Sequence, residues 1–574
     1  MYIETVPNRN SRPAILLREA WREGKKIRKR TLANLTNWPP EKVARLRAAL
    51  QAGGPVQPAA PVRVRRSLPH GHVAAVLAAI RRLGLPELLA SRRCRERDLV
   101  VGMIAERLLH ASSKLATARL WSQTTLAEEL GVADASVEEL YGALDWLLAR
   151  QDRLERKLAG RHLPSGGLVL YDLTSSSYEG RTCPLACWGH NRDGDGLPCI
   201  VYGVLTDGEG RPVAVSVYPG NTGDPKTVGD QVDKLRERFG LERVVLVGDR
   251  GMLTQARLRE LRQYPGLGWI SALRSSQIRE LVALGRLSRS LFDEQDLAEV
   301  VAPEEYPGER LVACYNPLLA DERRRTRDEL LAVAEAGLAR VAAEIGRRTR
   351  TPLGTAAIGL KAGRVLEKTK MKKHFLLEIG EGQLTWRRNE ASIRQEAELD
   401  GIYVVRTSEA REQLPAPATV RGYKSLAQVE RAFRTFKGVD LLVRPIWHRE
   451  PDRVRAHILL CLLAYYVEWH LRRALAPLLF DDEELPERRH SRPPVGPAQP
   501  SPAARRKKAG RQTPEGLPVH SFETLIEELG TQARVEFQIG DAPDAPIVTQ
   551  VASPTPIQQR ACDLLANIAV PSNA

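Results

Sequence analysis

Apolar residues change their spacing along the chain, and the changes separate it into regions of different secondary structure. Between about residues 69 and 160 they recur every three or four positions, which is the period of amphipathic helices. One stripe spans residues 99–109, and a second spans 137–148 behind the helix-capping pair Ser136 and Glu139. This region is therefore predicted to be α-helical.

After residue 166 the pattern changes to short, continuous apolar runs, which are typical of strands buried on both faces. Helices are predicted at about 224–239 and 255–263. Five strands are predicted, at residues 167–172, 199–206, 212–218, 244–249 and 269–273. Three strands, a helix, a strand, a helix and a strand form the element order of an RNase H-like domain. We therefore predict an α/β fold around a mixed five-stranded sheet.

Two of these strands end in an aspartate, Asp172 in the first and Asp249 in the fourth. Residues at strand ends lie at the rim of an α/β sheet, where sites usually form. The two carboxylates would therefore stand side by side if their strands are neighbours. An aspartate after a strand also commonly accepts hydrogen bonds in a turn or at a helix N-terminus. A purely structural role is the alternative for either residue alone.

A third acid lies far downstream, in a segment with a strong helical pattern. Its apolar positions recur at helical spacing: Leu426, Val429, Phe433 and Phe436. Ser425 with Gln428 matches a capping box and predicts the start of the helix. Glu430, Arg434 and Lys437 share a neighbouring face, and a carboxylate followed by two cations is typical of a solvated, salt-bridged surface. Asp172 and Asp249 upstream favour a shared acidic site instead.

The charge balance indicates the kind of partner. The 574 residues include 86 Lys and Arg against 70 Asp and Glu, a net charge of +16. Such an excess favours a polyanion; nucleic acid is the commonest, and an anionic membrane surface is the competitor. No run approaches the roughly 18–20 apolar residues that would span a bilayer. The first residues lack the basic and apolar regions of a signal peptide, so we expect an intracellular protein.

The cysteines argue against a disulfide framework, because the seven are scattered and odd in number. Cys183, Cys187, His190 and Cys199 could be drawn as a zinc site. Their spacing matches no CxxC pair, however, and ordinary loop and strand cysteines are favoured.

Changes in composition divide the remaining chain. Strand character resumes at 401–406, so residues 274–400 are predicted to be a β-rich insertion into the sheet domain. A Gly/Pro/Ala linker runs over 53–61, and residues 481–518 are rich in Pro, Arg and Lys, which predicts disorder. The predicted domains are a basic segment with its linker (1–60), a helical DNA-binding region (61–160), two parts of the α/β domain (161–273 and 401–480) around the insertion (274–400), a disordered basic linker (481–518) and a tail domain (519–574). The helical region is compatible with a helix-turn-helix-like DNA reader and equally with a plain helical bundle.

An ordered set of motifs resembles a known family. The motifs are Tyr171-Asp172-Leu173-Thr174-Ser175, Val247-Gly248-Asp249-Arg250-Gly251-Met252, residues 400–407 and the helix over 423–437. Together they resemble DDE transposases of bacterial insertion sequences, in the IS-four superfamily, over roughly residues 165–475. The family's helix signature is a tyrosine, an arginine, a glutamate and a lysine at fixed spacing. Tyr423, Glu430 and Lys437 fall on it, whereas Leu426 occupies the arginine position.

The resemblance implies a catalytic site of three carboxylates. Asp172, Asp249 and Glu430 would hold two Mg²⁺ ions, which Mn²⁺ can replace. Asp172 would bridge both ions, while Asp249 and Glu430 would each hold one. Carboxylate oxygens are the hard ligands that magnesium prefers, and a pair of such ions stabilises the attacking and leaving oxygens of a phosphodiester displacement.

The resemblance also implies DNA contacts around this site. Tyr423 and Lys437 would contact phosphates near the cleavage point, and Arg250 and Arg434 are further candidates for DNA contact. In some relatives a tryptophan of the insertion stacks on a flipped base. Trp386 is the candidate here, with packing inside the insertion as its alternative role.

The activity that the resemblance implies is metal-dependent cleavage at transposon ends, followed by strand transfer into target DNA. The partners would be double-stranded DNA, as terminal inverted repeats read by the N-terminal region and as target, and a second copy of the chain in the DNA complex. The protein would work in the cytoplasm, associated with the nucleoid through DNA, and not at a membrane. One alternative is a catalytically inactive DNA-binding regulator derived from such an element; it would need a lost acid, and all three are present. The other alternative is a nuclease of the same fold that does not catalyse strand transfer.

Overall fold

The computed structural model describes residues 1–9, 12–51, 62–293, 295–348, 350–438, 441–539 and 545–569. The Gly/Pro/Ala linker predicted over 53–61 lies outside these ranges. Two compact units are present. One, the N-terminal unit, contains residues 1–67 and 534–551, and the other, the main unit, contains residues 68–533 and 552–574.

The described residues form strands β1 to β16, numbered in chain order: Tyr2–Val6, Ala14–Glu23, Lys26–Asn34, Val62–Pro69, Leu168–Ser177, Cys199–Asp207, Pro212–Pro219, Val244–Val247, Leu267–Ala272, Leu297–Val300, Arg310–Tyr315, Phe375–Gly380, Gln383–Arg388, Ile402–Thr407, Ala533–Ile539 and Ile547–Val551. They form helices α1 to α21 in the same order: Pro40–Gln51, Gly71–Arg82, Leu85–Leu89, Arg95–Leu109, Lys114–Leu120, Leu126–Leu130, Val137–Leu148, Gln151–His162, Val228–Asp233, Gln255–Leu261, Ser275–Ala283, Pro317–Gly346, Thr355–Thr369, Glu390–Ala397, Ala416–Lys424, Leu426–Lys437, Pro451–Leu475, Leu485–Ser491, Pro502–Gly510, Phe522–Gly530 and Pro556–Leu565.

The N-terminal unit contains two small three-stranded sheets. In the first, β2 pairs with both β1 and β3, and the β2–β3 hairpin turns at Gly24, whose φ is +64°. A positive φ favours glycine in such a tight turn. Strand β3 carries much of the positive charge of the predicted basic segment, and helix α1 begins at Pro40. The second sheet has the order β16-β15-β4.

The main unit is built on an eight-stranded mixed sheet with the order β10-β11-β14-β9-β8-β5-β6-β7. The five predicted strands are β5 to β9, so the α/β class is confirmed. The predicted strand number is wrong, because β14, β11 and β10 continue the sheet beyond β9 through antiparallel pairing. Strands β10 and β11 fall inside the predicted insertion (274–400), so the predicted boundary of the insertion is wrong as well. They are only four and six residues long, and β11 pairs with β14 across some ninety intervening positions.

The sequence predicts a β-rich insertion, and this prediction is wrong. The segment between β11 and β14 is mainly helical. Helix α12 extends over 30 residues and packs against α13. The hairpin β12–β13 supplies the only strands that the structure describes between β11 and β14. These elements enclose their own apolar core, formed mainly by Leu331, Leu338, Ile358, Leu366, Phe375 and Leu384. The long helices supply most of this core, so the strands contribute only one edge of it.

Helix α17 lies at the centre of the main unit. Its apolar residues surround the whole helix axis, a pattern that indicates a buried helix, and nearly every residue from Ala456 to Glu468 is buried. It packs on α4 and α7 of the predicted helical region, on β7 and on α16. In the described part of the chain, no helix combines the length and the apolar character needed to cross a membrane.

The predicted disorder of residues 481–518 is wrong, because this segment contains α18 and α19. Composition alone suggested solvated cations, yet Lys507 is buried and its ammonium donates to Glu483 at 2.7 Å and to the carbonyl of Ala476 at 2.8 Å. The predicted separate tail domain is also not formed. Helices α20 and α21 pack on α2 and α17 of the main unit, whereas β15 and β16 belong to the N-terminal unit.

Candidate active site

Asp172 and Asp249 stand at matching positions of two neighbouring strands. Strands β5 and β8 are parallel and adjacent, and Leu170 pairs with Val247. Each aspartate follows its paired residue by two positions. The prediction that the two strands are neighbours is therefore confirmed. The prediction that Asp172 ends its strand is wrong, because β5 continues to Ser177 and Asp172 pairs with Val204 of β6. Asp172 thus lies within the sheet, beside the end of β8 that Asp249 follows.

Helix α16 packs along β5 and carries Glu430. The predicted apolar stripe is buried, and the opposite face leaves Glu430 and Arg434 exposed. The predicted capping box at Ser425 is wrong. Ser425 has helical angles, φ −63° and ψ −18°, and its hydroxyl donates to the carbonyl of Arg421 at 3.0 Å. Helix α15 leads directly into α16, so no free helix N-terminus is present for Ser425 to cap.

The pKa of Asp172 shows that the three acids share an electrostatic environment. The pKa of this half-buried carboxyl is raised to about 7, mainly by burial and also by the carboxylates of Asp249 and Glu430. The N–H of Leu173, which donates to Oδ1 of Asp172 at 2.8 Å, and the charge of Arg192 act in the opposite direction. Negative charges that lie close together disfavour the ionised form of one another.

Tyr423 borders the same group of acids. Burial raises the pKa of its phenol, and the charges of Asp249, Glu430 and Asp172 raise it too, while Arg250 lowers it. The hydroxyl therefore stays protonated at neutral pH and can donate a hydrogen bond. Tyr423 itself belongs to the last turn of α15 rather than to α16.

Asp249 also has the structural role that was the alternative for an acid after a strand. Its Oδ1 accepts hydrogen bonds from the N–H groups of Gly251, at 2.9 Å, and Met252, at 2.7 Å. The turn after β8 thereby fixes one oxygen of the carboxylate. A structural and a ligating role are compatible, because a carboxylate has two oxygens and about four acceptor sites.

The donor chemistry of the three acids fits a divalent cation, since carboxylate oxygens are hard ligands and their mutual repulsion is relieved by positive charge. Their side chains do not converge to ligand distance. Nowhere in the described ranges are three or more His, Cys, Asp or Glu side chains grouped to hold a metal ion. The exposed side chain of Glu430 has the freedom to close this gap.

The cysteines between β5 and β7 behave as ordinary structural cysteines. The thiol of Cys187 donates to the carbonyl of Pro184 at 3.8 Å, and that of Cys199 to the carbonyl of Gly220 at 3.6 Å. His190 accepts a hydrogen bond from Ser175 through its carbonyl oxygen.

Lys437 is held by a residue that the sequence analysis missed. Its ammonium donates to Asp193 at 2.9 Å and to the carbonyl of Ser175. Arg444 forms a second ion pair with Asp193 at 2.7 Å, and the Asp193 side chain is only 4% exposed. The run of Asn, Asp and Gly at 191–196 signals a polar turn, but nothing local indicates that the turn contacts α16.

The remaining predicted DNA contacts differ in their surroundings. Arg250 and Arg434 are exposed. Trp386 is half-buried on β13 opposite Leu377 of β12, and it packs against the apolar core formed by α12, α13 and the hairpin. These contacts support the packing role that was the alternative for Trp386.

Two family models match the chain. The model described as Transposase DDE domain matches residues 167–467, and that of the IS1634 family transposase N-terminal domain matches residues 3–58. No curated protein matches the chain. The first match contains Asp172, Asp249 and Glu430 and extends over just over half of the sequence. The chain therefore belongs to the family of insertion-sequence transposases that carry this DDE domain.

Proposed function

We propose that this transposase cleaves DNA at the ends of its insertion sequence and transfers the cleaved strand into target DNA, with Asp172, Asp249 and Glu430 as the catalytic carboxylates. The observation that carries the proposal is the electrostatic coupling of Asp172 to the other two acids within the DDE domain. Three carboxylates close together cost stability, since like charges repel one another, and a shared ligand role would account for their grouping.

The three acids would hold two Mg²⁺ ions, and Mn²⁺ could replace them. When bound, such a pair of ions stabilises the attacking and the leaving oxygen of a phosphodiester displacement. The residues of the chain prepare the site. The N–H groups of Gly251 and Met252 orient Asp249, and Leu173 orients Asp172. Packing of α16 along β5 would bring Glu430 towards the two aspartates.

The DNA phosphates near the scissile bond would be held by Tyr423, Lys437, Arg250 and Arg434. The protonated Tyr423 hydroxyl is a hydrogen-bond donor beside the acids. An ammonium has three donors. Asp193 and the Ser175 carbonyl engage two of those of Lys437, and the third can reach a phosphate oxygen.

The missing signature arginine has a candidate substitute. Leu426, at its position, is buried in the core and cannot contact DNA. Arg434 lies four residues after Glu430, and residues at that spacing share a helix face. Its exposed guanidinium is therefore the better placed of the two nearby arginines, because Arg431 projects to a different side of α16.

We further propose that the N-terminal unit contributes to recognition of the terminal inverted repeats, as its match to a transposase N-terminal domain supports. The working complex would contain two copies of the chain with DNA.

Cleavage of a labelled duplex tests the proposal, with the duplex taken from the DNA that flanks the gene. The purified protein is expected to nick it at the element end with Mg²⁺ or Mn²⁺ and not with a chelator. Asp249→Asn keeps the Oδ1 acceptor for Gly251 and Met252 and should abolish nicking while DNA binding survives. Asp134→Asn, at an exposed acid, is the control. Binding without nicking by the native protein under all metals would contradict the proposal.

A further inference from the structure

A large arginine-lined cavity lies in the main unit, apart from the three acids. Its volume is about 1130 Å³, and its walls come from α15 and α16, the end of α17, and the segment from Ala476 to Lys508 that was predicted to be disordered. We refer to it as the arginine cavity.

Three guanidinium groups on its wall lack a compensating charge. Arg431, Arg489 and Arg492 form no ion pair with the carboxylates that the structure describes. Burial lowers the pKa of the Arg489 guanidinium, and the positive charges of Arg431, Arg473 and Arg492 lower it further, against the opposing effect of Glu209. These groups therefore lie close enough to repel one another.

Arg492 gives the sharpest indication of a ligand. Its Nε and Nη2 are buried and have no hydrogen-bond partner in the described ranges. The backbone at this position is fixed, because the guanidinium of Arg421 donates to the carbonyl of Arg492 at 2.9 Å. A buried donor left without an acceptor costs free energy, and an anion in the cavity would supply the acceptor.

The acids around the cavity do not neutralise these arginines. Glu209 is paired with Arg473 at 2.5 Å, and Glu483 is paired with Lys507 at 2.7 Å. Asp482 accepts from the N–H of Ser501 at 2.7 Å. Asp481 and Glu487, the other acids on the wall, are exposed to solvent. Arg431, Arg489 and Arg492, together with Arg421 and Lys508, therefore give the wall an excess of positive charge that the described acids do not pair.

We propose that the arginine cavity binds backbone phosphates of a DNA segment other than the one at the three acids. The planar guanidinium fork matches two phosphate oxygens at once, and the family binds DNA. Arg431 follows Glu430 directly, so their side chains project from α16 about 100° apart. DNA bound in the arginine cavity would thus run along a second side of the catalytic helix. This inference rests on DNA binding and not on the proposed cleavage.

The test is the salt dependence of binding to a random-sequence duplex, measured by fluorescence anisotropy with a chelator present. Each phosphate contact that is lost should reduce the slope of log K against log salt by about one. Arg489→Gln and Arg492→Gln are each expected to reduce it by that amount and to weaken binding several-fold. Arg431→Gln, at an exposed position where folding is not at risk, should act in the same direction.

Arg286→Gln is the matched control, because Glu304 and Glu305 already balance the charge of Arg286. Because the chelator prevents metal-dependent cleavage, the slope is measured in the absence of cleavage, and failure of the cleavage proposal is distinguishable from failure of this one. Unchanged slopes in all three cavity variants would overturn the proposal. A further arm adds inorganic pyrophosphate. If pyrophosphate raises the melting temperature of the native protein but not of the variants, and their DNA binding is unchanged, the ligand is a small anion and not DNA.

Discussion

Asp172 and Asp249 occupy the same level of a parallel strand pair, each two residues beyond the paired Leu170 and Val247. Their carboxylates repel, and burial of Asp172 adds to the cost of keeping both ionised. A group of repelling carboxylates reduces the stability of the fold that carries it.

Asp249→Asn is therefore expected to stabilise the protein when no metal is present. The amide keeps the Oδ1 acceptor for Gly251 and Met252 and removes one negative charge near Asp172. A gain of about 1 kcal/mol would raise the melting temperature by a few degrees. Calorimetry with a chelator measures this gain, and added Mg²⁺ should then raise the melting temperature of the native protein more than that of the variant. A lower melting temperature of the metal-free variant would contradict the repulsion argument.

Asp193→Asn is expected to reduce cleavage roughly tenfold, because it removes the charge that holds Lys437 and Arg444. The effect should appear mainly in kcat, since Lys437 would contact the reacting phosphate. In a double-mutant cycle with Lys437→Gln, the two losses should not add.

Asp195→Asn is the matched control for Asp193→Asn. Asp195 lies in the same turn and accepts hydrogen bonds from Ser177 and Asn191. Unlike Asp193, it forms no ion pair with Lys437 among the described contacts. Equal losses from Asp193→Asn and Asp195→Asn would indicate that the turn matters as a whole, and that Asp193 does not specifically position Lys437.

The central strands and helix α16 could be predicted because their signals are local. Strands β5 and β8 are continuous apolar runs, and the buried stripe of α16 has helical spacing. Ser425 shows the limit of local patterns. Its capping motif is real in sequence, but α15 immediately precedes it and makes the cap unnecessary.

The missed features depend on contacts between distant parts of the chain. Lys437 and Asp193 are 244 positions apart, and no periodicity encodes their ion pair. Residues 481–518 were predicted to be disordered from composition, which counts cations but not their partners. Lys507 forms an ion pair with Glu483. Val495 is buried, and its carbonyl accepts a hydrogen bond from Lys424.

Glu309→Gln is expected to destabilise the main unit by about 3 kcal/mol. Arg406 and Glu309 form an ion pair whose side chains are 3% and 1% exposed, and Arg262 donates to the other oxygen of Glu309 at 2.7 Å. Removing one partner leaves a buried charge uncompensated. Thermal melting of Glu309→Gln measures the loss. Asp321→Asn breaks an ion pair of which both side chains are about two thirds exposed, and it should cost less than about 1 kcal/mol. Similar losses in both variants would contradict the argument from burial.

Glu106 should make stability fall as pH rises towards neutrality. Burial raises its pKa from 4.5 to about 7. The unfolded chain ionises more readily than the folded one, so this contribution is complete below about pH 4.5 and is lost as pH rises through about 7. The contribution of Glu106 to the free energy of unfolding is roughly 3 kcal/mol at most. Glu106→Gln removes it, so the melting temperature of native protein minus that of Glu106→Gln should be larger at pH 5 than at pH 7.5. A difference that does not change with pH would rule out this titration.

Trp386 is expected to stabilise the helical insertion by packing. It faces the apolar core of α12, α13 and the hairpin from a half-buried position. Trp386→Ala should therefore lower the free energy of unfolding by about 1–3 kcal/mol, given the partial burial of the indole. The melting temperature should fall accordingly. Trp386→Leu should recover much of this loss, because a large aliphatic side chain refills part of the space.

Cleavage kinetics of the two Trp386 variants separate packing from base stacking. If the indole only packs, Trp386→Leu should cleave at close to the native rate at a temperature where it is fully folded. A base held by stacking needs an aromatic ring. If Trp386 stacks on a base, Trp386→Leu and Trp386→Ala should lose cleavage to the same extent, and Trp386→Phe should still cleave. Equal defects of Leu and Ala without loss of stability would refute the packing prediction and assign Trp386 to the DNA.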